Sequence, residues 1–289
     1  MFDIVGKRRW FFLISGVIIL VGIVFLAVSG LQLGIEFSSG SMMRVSFEQE
    51  VEQAQLREEL TSLGYGDAIV QHTGGGDFYI RTASLGREEK AQLKSSLEAR
   101  FGSLGEPEFY SVSPMVATET AENAGIAVAV AALGILLYIT WAFHRMPHPF
   151  RYGTCALIAL GHDVLVVLGT FSILGSVFGW EINLMFITGV LAVIGYSVNN
   201  TVVIFDRIRE NLVRRVSSSF RVVTNNSLVE TLSRSLNTSL TTLVVVLALL
   251  LFVGASIQNF AVVLVIGVIA GTYSSICIAP QLLVVWEKE

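Results

Sequence analysis

Six long apolar stretches constrain this chain more than any other feature of its sequence. They cover approximately residues 10–31, 125–143, 153–178, 183–208, 229–253 and 260–285. A helix that crosses the roughly 30 Å hydrocarbon core of a bilayer needs about 20 mostly apolar residues, because it rises about 1.5 Å per residue. The sequence therefore predicts a membrane all-α bundle of six transmembrane helices.

The composition agrees with a protein that lies in lipid. Of the 289 residues, 53% are hydrophobic and only 15% are charged, which is too apolar for an ordinary soluble domain. The first stretch lacks the small-residue cleavage pattern of a signal peptide, and it is longer than a signal peptide's apolar region. We therefore expect it to remain as an anchor.

Lys and Arg in the short connections predict the orientation of the chain. Basic residues cluster before the first stretch, after the second and after the fourth, and one follows the sixth: Lys7, Arg8, Arg9, Arg145, Arg151, Arg207, Arg209, Arg214, Arg215, Arg221 and Lys288. The loops at 179–182 and 254–259 carry none. Since short basic loops stay in the cytoplasm, we expect both termini there and the long insert, residues 32–124, outside. The expected division is 1–31, 32–124 and 125–289.

The insert changes to short alternating runs and amphipathic stretches. Alternation predicts strands near 43–47, 68–72, 77–82 and 108–112, and apolar residues at helical spacing predict helices at 51–63 and 87–101. The glycines at 74–76 predict a hairpin between the second and third strands. The order β-α-β-β-α-β is typical of an α+β ferredoxin-like domain, so we expect one such periplasmic domain.

Several ionisable and amide side chains fall at membrane depth, where they are costly and are functional candidates by default. Asp163 lies about 13 residues from Phe150, or about 20 Å deep by helical rise. The fourth stretch contains Asn199 and Asn200, and the fifth contains Arg234 and Asn237. The alternative for the amides is interhelical hydrogen bonding, whereas a buried charge without a partner makes Asp163 and Arg234 stronger candidates.

The remaining polar residues and the cysteines give weaker indications of function. Asp206 and Arg207 are expected in a solvated turn at the cytoplasmic end of the fourth stretch. Cys155 and Cys277 read as core residues rather than a disulfide or metal site. The sequence has no P-loop, catalytic triad or basic stripe, so we expect no enzyme, no cofactor or metal, and no nucleic-acid partner.

Several long motifs together resemble the SecF family of protein translocase subunits. They are FDIVGKRRW, GIEFSSGSMM, GHDVLVVLG, IGYSVNNTVVIFDRIREN and LSRSLNTSLTTLVVVLALLLFVGA, and the resemblance covers nearly the whole chain. It implies a member of the resistance-nodulation-division superfamily and half of a complex completed by a SecD-like subunit. It also implies association with the SecYEG channel and with YajC, and use of the proton-motive force to help preproteins cross the bacterial cytoplasmic membrane.

Two motifs depart from the family pattern. The family usually has GIDFTGG after the first stretch, whereas this chain has Glu36 followed by Ser38, Ser39 and Gly40. Glu36 keeps the acid on the periplasmic side but alters its reach. The family's fourth-stretch motif usually reads YSxNDTVV, and its aspartate is the presumed proton carrier, whereas this chain has Asn200, which never ionises.

The second departure leaves the source of the coupling proton open. Arg234 occupies the position of the family's membrane-embedded arginine, and we expect its counter-ion to be Asp163 or an aspartate of the SecD-like partner. One hypothesis is that the partner carries the proton within a frame of Asn200 and Arg234. The alternatives are a scaffold that carries no proton, an engineered mimic of the protonated state at Asn200, and a small-molecule proton antiporter.

Overall fold

The computed structural model describes residues 2–72, 76–252 and 257–287. The chain forms two compact units, Met1–Gln32 with Ile126–Glu289, and Leu33–Gly125. In chain order the elements are α1 Arg8–Val28, α2 Ile35–Ser38, β1 Gly40–Ser46, α3 Gln53–Ser62, β2 Ile69–His72, β3 Asp77–Thr82, α4 Arg87–Phe101, β4 Glu108–Val112, α5 Pro114–Ala142, α6 Pro149–Phe178, α7 Leu184–Val213, α8 Phe220–Phe252, α9 Gln258–Cys277 and α10 Ala279–Trp286.

Within these ranges, six helical segments are long and apolar enough to cross a membrane: Val5–Val28, Pro114–Ala142, Pro149–Phe178, Leu184–Val213, Phe220–Phe252 and Gln258–Trp286. The predicted number of spans is therefore confirmed. The helices α5, α7 and α8 extend well beyond the predicted apolar stretches. Hydropathy marks only the apolar part of a helix, whereas backbone hydrogen bonding continues into polar sequence.

The sixth predicted stretch is interrupted near its end. Helix α9 ends at Cys277, Ile278 has φ −116° and ψ −64°, and α10 begins at Ala279 with Pro280 in its first turn. Proline has no backbone N–H to donate and restricts the residue before it. Hydropathy does not reveal this break, because the stretch is apolar on both sides of it. Pro280 is its only signal in the sequence.

Glycines allow the closest helix contacts in the bundle. A Cβ placed on Gly267 of α9 would lie 2.0 Å from Cγ2 of Val193 on α7. A Cβ on Gly169 of α6 would lie 2.6 Å from Cα of Gly22 on α1. Dispersion contacts between closely packed helices replace the hydrophobic driving force, which is absent between helices in lipid.

Aromatic and aliphatic side chains form the core near the start of α6. Tyr152 stacks on Phe143 with ring centroids 5.2 Å apart, and Phe205 of α7 meets Tyr152 edge to face at 5.4 Å. Cys155 and Cys277 are buried in the same core as free thiols. The prediction that both cysteines are core residues is confirmed.

The second unit contains a four-stranded sheet in the order β2-β3-β1-β4, with every neighbouring pair antiparallel. Alternate residues of β1 and β3, including Met43, Val45, Phe78 and Ile80, are buried with leucines of α3 and α4. The four strands and two helices lie within three residues of their predicted bounds. Residues 73–75, which contain part of the predicted glycine turn, lie outside the described residues.

The backbone is unusual at the junction of α2 and β1. Gly40 has φ +124°, and a Cβ there would lie 2.5 Å from the carbonyl oxygen of Thr82 on the neighbouring strand. Ser39 has φ 61° and ψ 172°, a region that is essentially restricted to glycine. The short helix α2, which the sequence did not predict, ends directly at this strained residue.

Candidate functional site

Asp163 on α6 is the most deeply buried acid of the bundle, with no exposed surface. Its Oδ2 accepts hydrogen bonds from Ser197 Oγ of α7 at 2.5 Å and from Ser274 Oγ of α9 at 2.8 Å. Its Oδ1 lies 3.0 Å from Nδ1 of His162. The two serine donors connect α6 to α7 and α9 through one carboxylate.

His162 extends this cluster to α1. Its Nε2 lies 3.1 Å from Ser15 Oγ, and its ring stacks at 24° on Tyr273 of α9 with centroids 6.0 Å apart. Neighbouring residues on a helix point about 100° apart, but the imidazole folds along the helix, so that its two nitrogens reach Asp163 and α1.

Asn200 on α7 belongs to a second buried cluster. Its side chain is 3% exposed, and Nδ2 donates to Ser239 Oγ of α8 at 3.2 Å. Tyr196 also donates its hydroxyl to Ser239, at 3.0 Å, and the hydroxyl oxygens of Thr272 and Ser239 are 2.7 Å apart.

The number of available hydroxyl protons determines the direction of the hydrogen bonds in this second cluster. The Thr272 hydroxyl lies 2.6 Å from the carbonyl oxygen of Val268 and has one proton to donate. If that proton goes to the carbonyl, the Ser239 hydroxyl donates to Thr272 and accepts from Tyr196 and Asn200. Ser239 is then fully satisfied, with Asn200 acting as a donor.

Three other predicted site residues, Asn199, Arg234 and Asn237, have exposed side chains. Their side chains make no hydrogen bond or ion pair to another residue in the described part of the chain. Asp163, which was one expected counter-ion of Arg234, is instead bonded to His162 and two serines. The structure therefore separates Arg234 from Asp163, and Asn200 and Asp163 lie in different clusters.

Arg234 lies at the edge of a cavity of about 570 Å³ between α5, α7 and α8. Its polar wall is an ion-pair network: Arg207 Nε donates to Glu230 Oε2 at 2.6 Å and the guanidinium also bonds Glu210, while Asn211 Nδ2 donates to Glu230 at 2.9 Å. The charged lining comes from the last turns of α7 and from Glu230 and Arg234 of α8, and apolar side chains of α5 and α7 complete the walls.

The predicted turn at Asp206 and Arg207 is wrong. Both residues lie within α7, which continues to Val213, and Asp206 pairs with Arg209 at 2.5 Å one turn along. Ion pairs at i,i+3 and across to α8 support the helix where the apolar pattern stops.

Glu36 lies in the second unit, on α2, and is half-buried. It has no ion pair or hydrogen bond with another residue that the structure describes. Across residues 2–72, 76–252 and 257–287, no three His, Cys, Asp or Glu side chains are arranged to hold a metal ion.

Hydroxyl groups that were not among the predicted site residues organise both clusters. Ser197 and Ser274 bind Asp163, and Ser239 and Thr272 surround Asn200. A signal existed on α8, where small hydroxyl residues recur at helical spacing and are buried: Thr224, Ser227, Thr231, Ser235 and Ser239. No comparable periodicity identifies the partners on α9.

Two family models match the chain. The model of the protein export membrane protein SecD/SecF, C-terminal, matches residues 92–289. The model of the SecD/SecF GG motif matches residues 24–51, which include Glu36 and Gly40. Together they cover most of the helices and the segment that follows α1.

Similar proteins fall into separate and fused forms. The protein translocase subunit SecF of Thermobaculum terrenum is 45% identical, and the alignment covers 100% of this chain and 95% of that protein. The protein translocase subunit SecDF of Bacillus subtilis is 34% identical over 99% of this chain but only 38% of its own length. The crystal structure of SecDF from Thermus, described as a translocon-associated membrane protein, superposes with a TM-score of 0.87 at 30% identity, covering 100% of this chain and 39% of that chain.

Proposed function

Because the chain belongs to the SecD/SecF family of protein export membrane proteins, we propose that it couples the proton-motive force to late steps of preprotein translocation. It is a multi-pass membrane protein similar to accessory Sec translocase subunits. The proposed energy coupling rests on the polar residues of α7 and α8.

The proposal rests on Arg234 and its lack of an ion pair. Arg234 is an exposed guanidinium on a helix of the transmembrane unit, and no acid among the described residues pairs with it. The acids that line the cavity beside it, Asp206, Glu210 and Glu230, are each paired with another arginine, and an unpaired charge at membrane depth is costly. The unpaired arginine supports the presence of another subunit whose polar surface covers this side of α8 and supplies a carboxylate.

A SecD-like subunit is the proposed partner. In the SecDF proteins of Bacillus subtilis and Thermus, the part similar to this chain is joined to a longer remainder. Asn199 and Asn237 are exposed in the same transmembrane unit as Arg234 and offer hydrogen bonds to such a partner. The proposed complex encloses Arg234 and the two amides between the subunits.

Orientation and further contacts are part of the same proposal. The basic residues of the short connections support cytoplasmic termini in the bacterial inner membrane, which places residues 32–124 outside as a ferredoxin-like domain. That domain faces the compartment where exported chains emerge. We propose SecYEG, YajC and the translocating preprotein as further partners.

Asn200 determines where the coupling proton is carried at this site. Its amide donates to Ser239 but does not ionise. We propose that the partner subunit carries the proton, and that Asn200 and Arg234 provide hydrogen-bonding and electrostatic support. The same amide favours a second candidate function, a scaffold that assembles the translocase without proton movement.

The test uses this chain and its partner reconstituted with the translocase in proteoliposomes. Arg234→Ala is expected to abolish the stimulation of preprotein export by an imposed proton gradient, because the partner's carboxylate loses its counter-ion. Arg221→Ala, which removes an exposed arginine near the start of α8, is the control. Full gradient-driven export by Arg234→Ala would contradict the role of Arg234.

Proton flux separates the two candidate functions. Coupling predicts a proton flux that requires both subunits and export substrate. A scaffold predicts normal assembly and export with no flux attributable to the complex.

A further inference from the structure

The pair formed by Asp163 and His162 has no part in the function proposed for Arg234 and Asn200. We propose that this pair is a second proton-binding site, contained within this chain, and that Ser15 connects it toward the basic end of α1. The ligand is a proton, held between the Asp163 carboxylate and the His162 imidazole. Its binding rests on the geometry of the pair, and its use in export rests on the proposed function.

Charge balance requires a proton at the pair. Asp163 is completely buried and His162 is 7% exposed, and an isolated charge at such a position is strongly disfavoured. Among the described residues, His162 is the only cationic or potentially cationic side chain within ion-pair distance of the carboxylate. One proton between the two side chains makes the pair neutral overall.

The surrounding helices add few titratable groups. Helix α1 presents Ser15, α7 presents Ser197, and α9 presents Ser274 together with Tyr273. Helix α10 has no charged residue in its sequence. Tyr273 is therefore the one further titratable side chain in contact with the pair among the described residues.

A short chain of polar groups leads away from the pair. His162 Nε2 lies 3.1 Å from Ser15 Oγ, and Tyr273, whose ring stacks on His162, donates its hydroxyl to the carbonyl oxygen of Phe11 at 2.8 Å. Ser15 is seven residues beyond the start of α1, or about 10 Å by helical rise. The route therefore runs toward Arg8 and the basic residues before it.

Proton transfer along this route needs no other reactant. A proton received by the Ser15 oxygen is matched by release of the Ser15 hydroxyl proton to His162 Nε2, and Nδ1–H can pass its proton to Asp163 Oδ1. Only O–H and N–H bonds form and break. Release follows the same steps in reverse.

The protonation state of the pair also changes the contacts between helices. Ser197 of α7 and Ser274 of α9 both donate to Asp163 Oδ2, and a charged acceptor strengthens both bonds. Neutralising the carboxylate weakens the hold on α7 and α9. Because Asn200 lies one turn from Ser197 on α7, the pair is positioned to influence the cluster around Ser239.

Infrared difference spectroscopy tests proton binding directly. The sample is the full chain with its partner in vesicles, measured between pH 5 and 9. We expect a carboxyl band that changes with pH and is lost in Asp163→Asn. Arg234→Ala is expected to keep the band, which separates failure of this inference from failure of the proposed function. A wild-type spectrum without such a band, or a band that persists in Asp163→Asn, would overturn the inference.

A second measurement keeps both Asp163 and His162 and substitutes the other histidines. The chain contains four histidines, so substitution of His72→Gln, His144→Gln and His148→Asn leaves His162 as its only imidazole. Asparagine is chosen at position 148 because His148 has φ 54°, which asparagine tolerates. With isotope-labelled histidine in this chain alone, solid-state NMR should show His162 changing protonation over this pH range. A constant spectrum would overturn the inference.

Ser15→Ala tests the route. This variant keeps both members of the pair but removes the hydroxyl that bonds Nε2, so the pH-dependent band should remain while its response to a pH jump slows. Ser172→Ala is the matched control, since it removes another hydroxyl contact of α6, from Ser172 Oγ to the carbonyl oxygen of Gly30 just after α1, and its response rate should stay near wild type. Equal rates in Ser15→Ala and wild type would exclude Ser15 from the route.

Discussion

The hydrogen bonds of Asn200 show how one residue can fix the state of a site. An amide can donate through Nδ2 as a protonated carboxyl donates through its hydroxyl, but it cannot lose the proton at any physiological pH. Ser239 accepts that bond and is also bonded to Tyr196 and Thr272. The cluster is thereby held permanently in the arrangement that a protonated acid would produce.

Asn200→Asp should make the stability of the protein depend on pH. The new carboxyl can donate to Ser239 while it is protonated, but its ionised form would be buried with no cation bonded to it. Since the folded state favours the protonated form, the stabilisation present at low pH is lost as pH rises. Thermal unfolding in detergent between pH 5 and 9 should show a falling midpoint relative to wild type, with export through the complete translocase broadly intact.

A matched control for that measurement is Asn123→Asp. Asn123 is exposed on the polar first part of α5, so its carboxylate meets solvent and should add little pH dependence. Equal pH dependence of the two variants would contradict the buried environment assigned to Asn200.

Backbone strain at Ser39 gives a second prediction. With φ 61° and ψ 172°, this serine occupies a region that costs about 1–3 kcal/mol for a residue with a side chain. Ser39→Gly should therefore raise the free energy of unfolding by about 1 kcal/mol, after the greater flexibility of glycine in the unfolded chain is subtracted. Thermal unfolding measured for the full chain checks the sign.

Ser38→Gly controls for the general effect of glycine. Ser38 lies in the α-helical turn of α2, and its hydroxyl donates to the carbonyl oxygen of Gly34 at 2.9 Å. Its replacement should destabilise the unit by about 1 kcal/mol. Stabilisation by both substitutions would contradict the strain at Ser39.

At the scale of elements, glycine spacing sets how closely α1 and α6 approach. Gly169→Ala would place a methyl group 2.6 Å from Cα of Gly22, and two helix backbones cannot yield as a flexible side chain can. We expect a loss of about 1–3 kcal/mol from this overpacking. The thermal unfolding midpoint in detergent measures it.

Gly161→Ala provides the matched control on the same helix. A Cβ on Gly161 meets nothing within 4 Å, and alanine favours a helix over glycine by about 1 kcal/mol. Its midpoint should equal or exceed that of wild type. A similar fall for both variants would show that α6 does not pack on α1 through Gly169.

Element boundaries show where sequence patterns carried information. Period-two alternation located β1 and β3 because one face of the sheet is buried, and the 3.6-residue spacing of leucines located α3 and α4. Hydropathy located the six spans but not their ends, since helices α5 and α8 begin in polar sequence. The break at Ile278 depends on one proline inside an apolar run.

For the whole molecule, the polar surface of the transmembrane unit determines how it associates. Asn237→Cys should form a cross-link with a SecD-like subunit in membranes, because we propose that this exposed position of α8 is covered by the partner. Leu133→Cys, which is exposed on α5 with 56% accessibility, is the control for a surface that faces lipid. The native Cys155 and Cys277 are buried and should contribute little background.

Cross-linking at position 133 without cross-linking at 237 would place the partner against α5 instead. That outcome would leave Arg234 without the proposed counter-ion and would require a different explanation for its position at membrane depth.

The sequence by itself determined the six spans, the elements of the inserted domain and the family, because each depends on local spacing or on long motifs. It also identified Asp163, Asn200 and Arg234, since polar residues at membrane depth are conspicuous in an apolar background. These conclusions needed no knowledge of which residues meet in space.

Only the tertiary structure decided which polar residues meet. It assigned His162, Ser197 and Ser274 to Asp163, gave Ser239 to Asn200, and left Arg234 with no partner in the described residues. Ser15 and Asp163 are 148 positions apart in the sequence yet belong to one cluster. Helix packing alone sets such contacts, because hydroxyl residues are common in these helices and nothing in their local sequence specifies which helix they face.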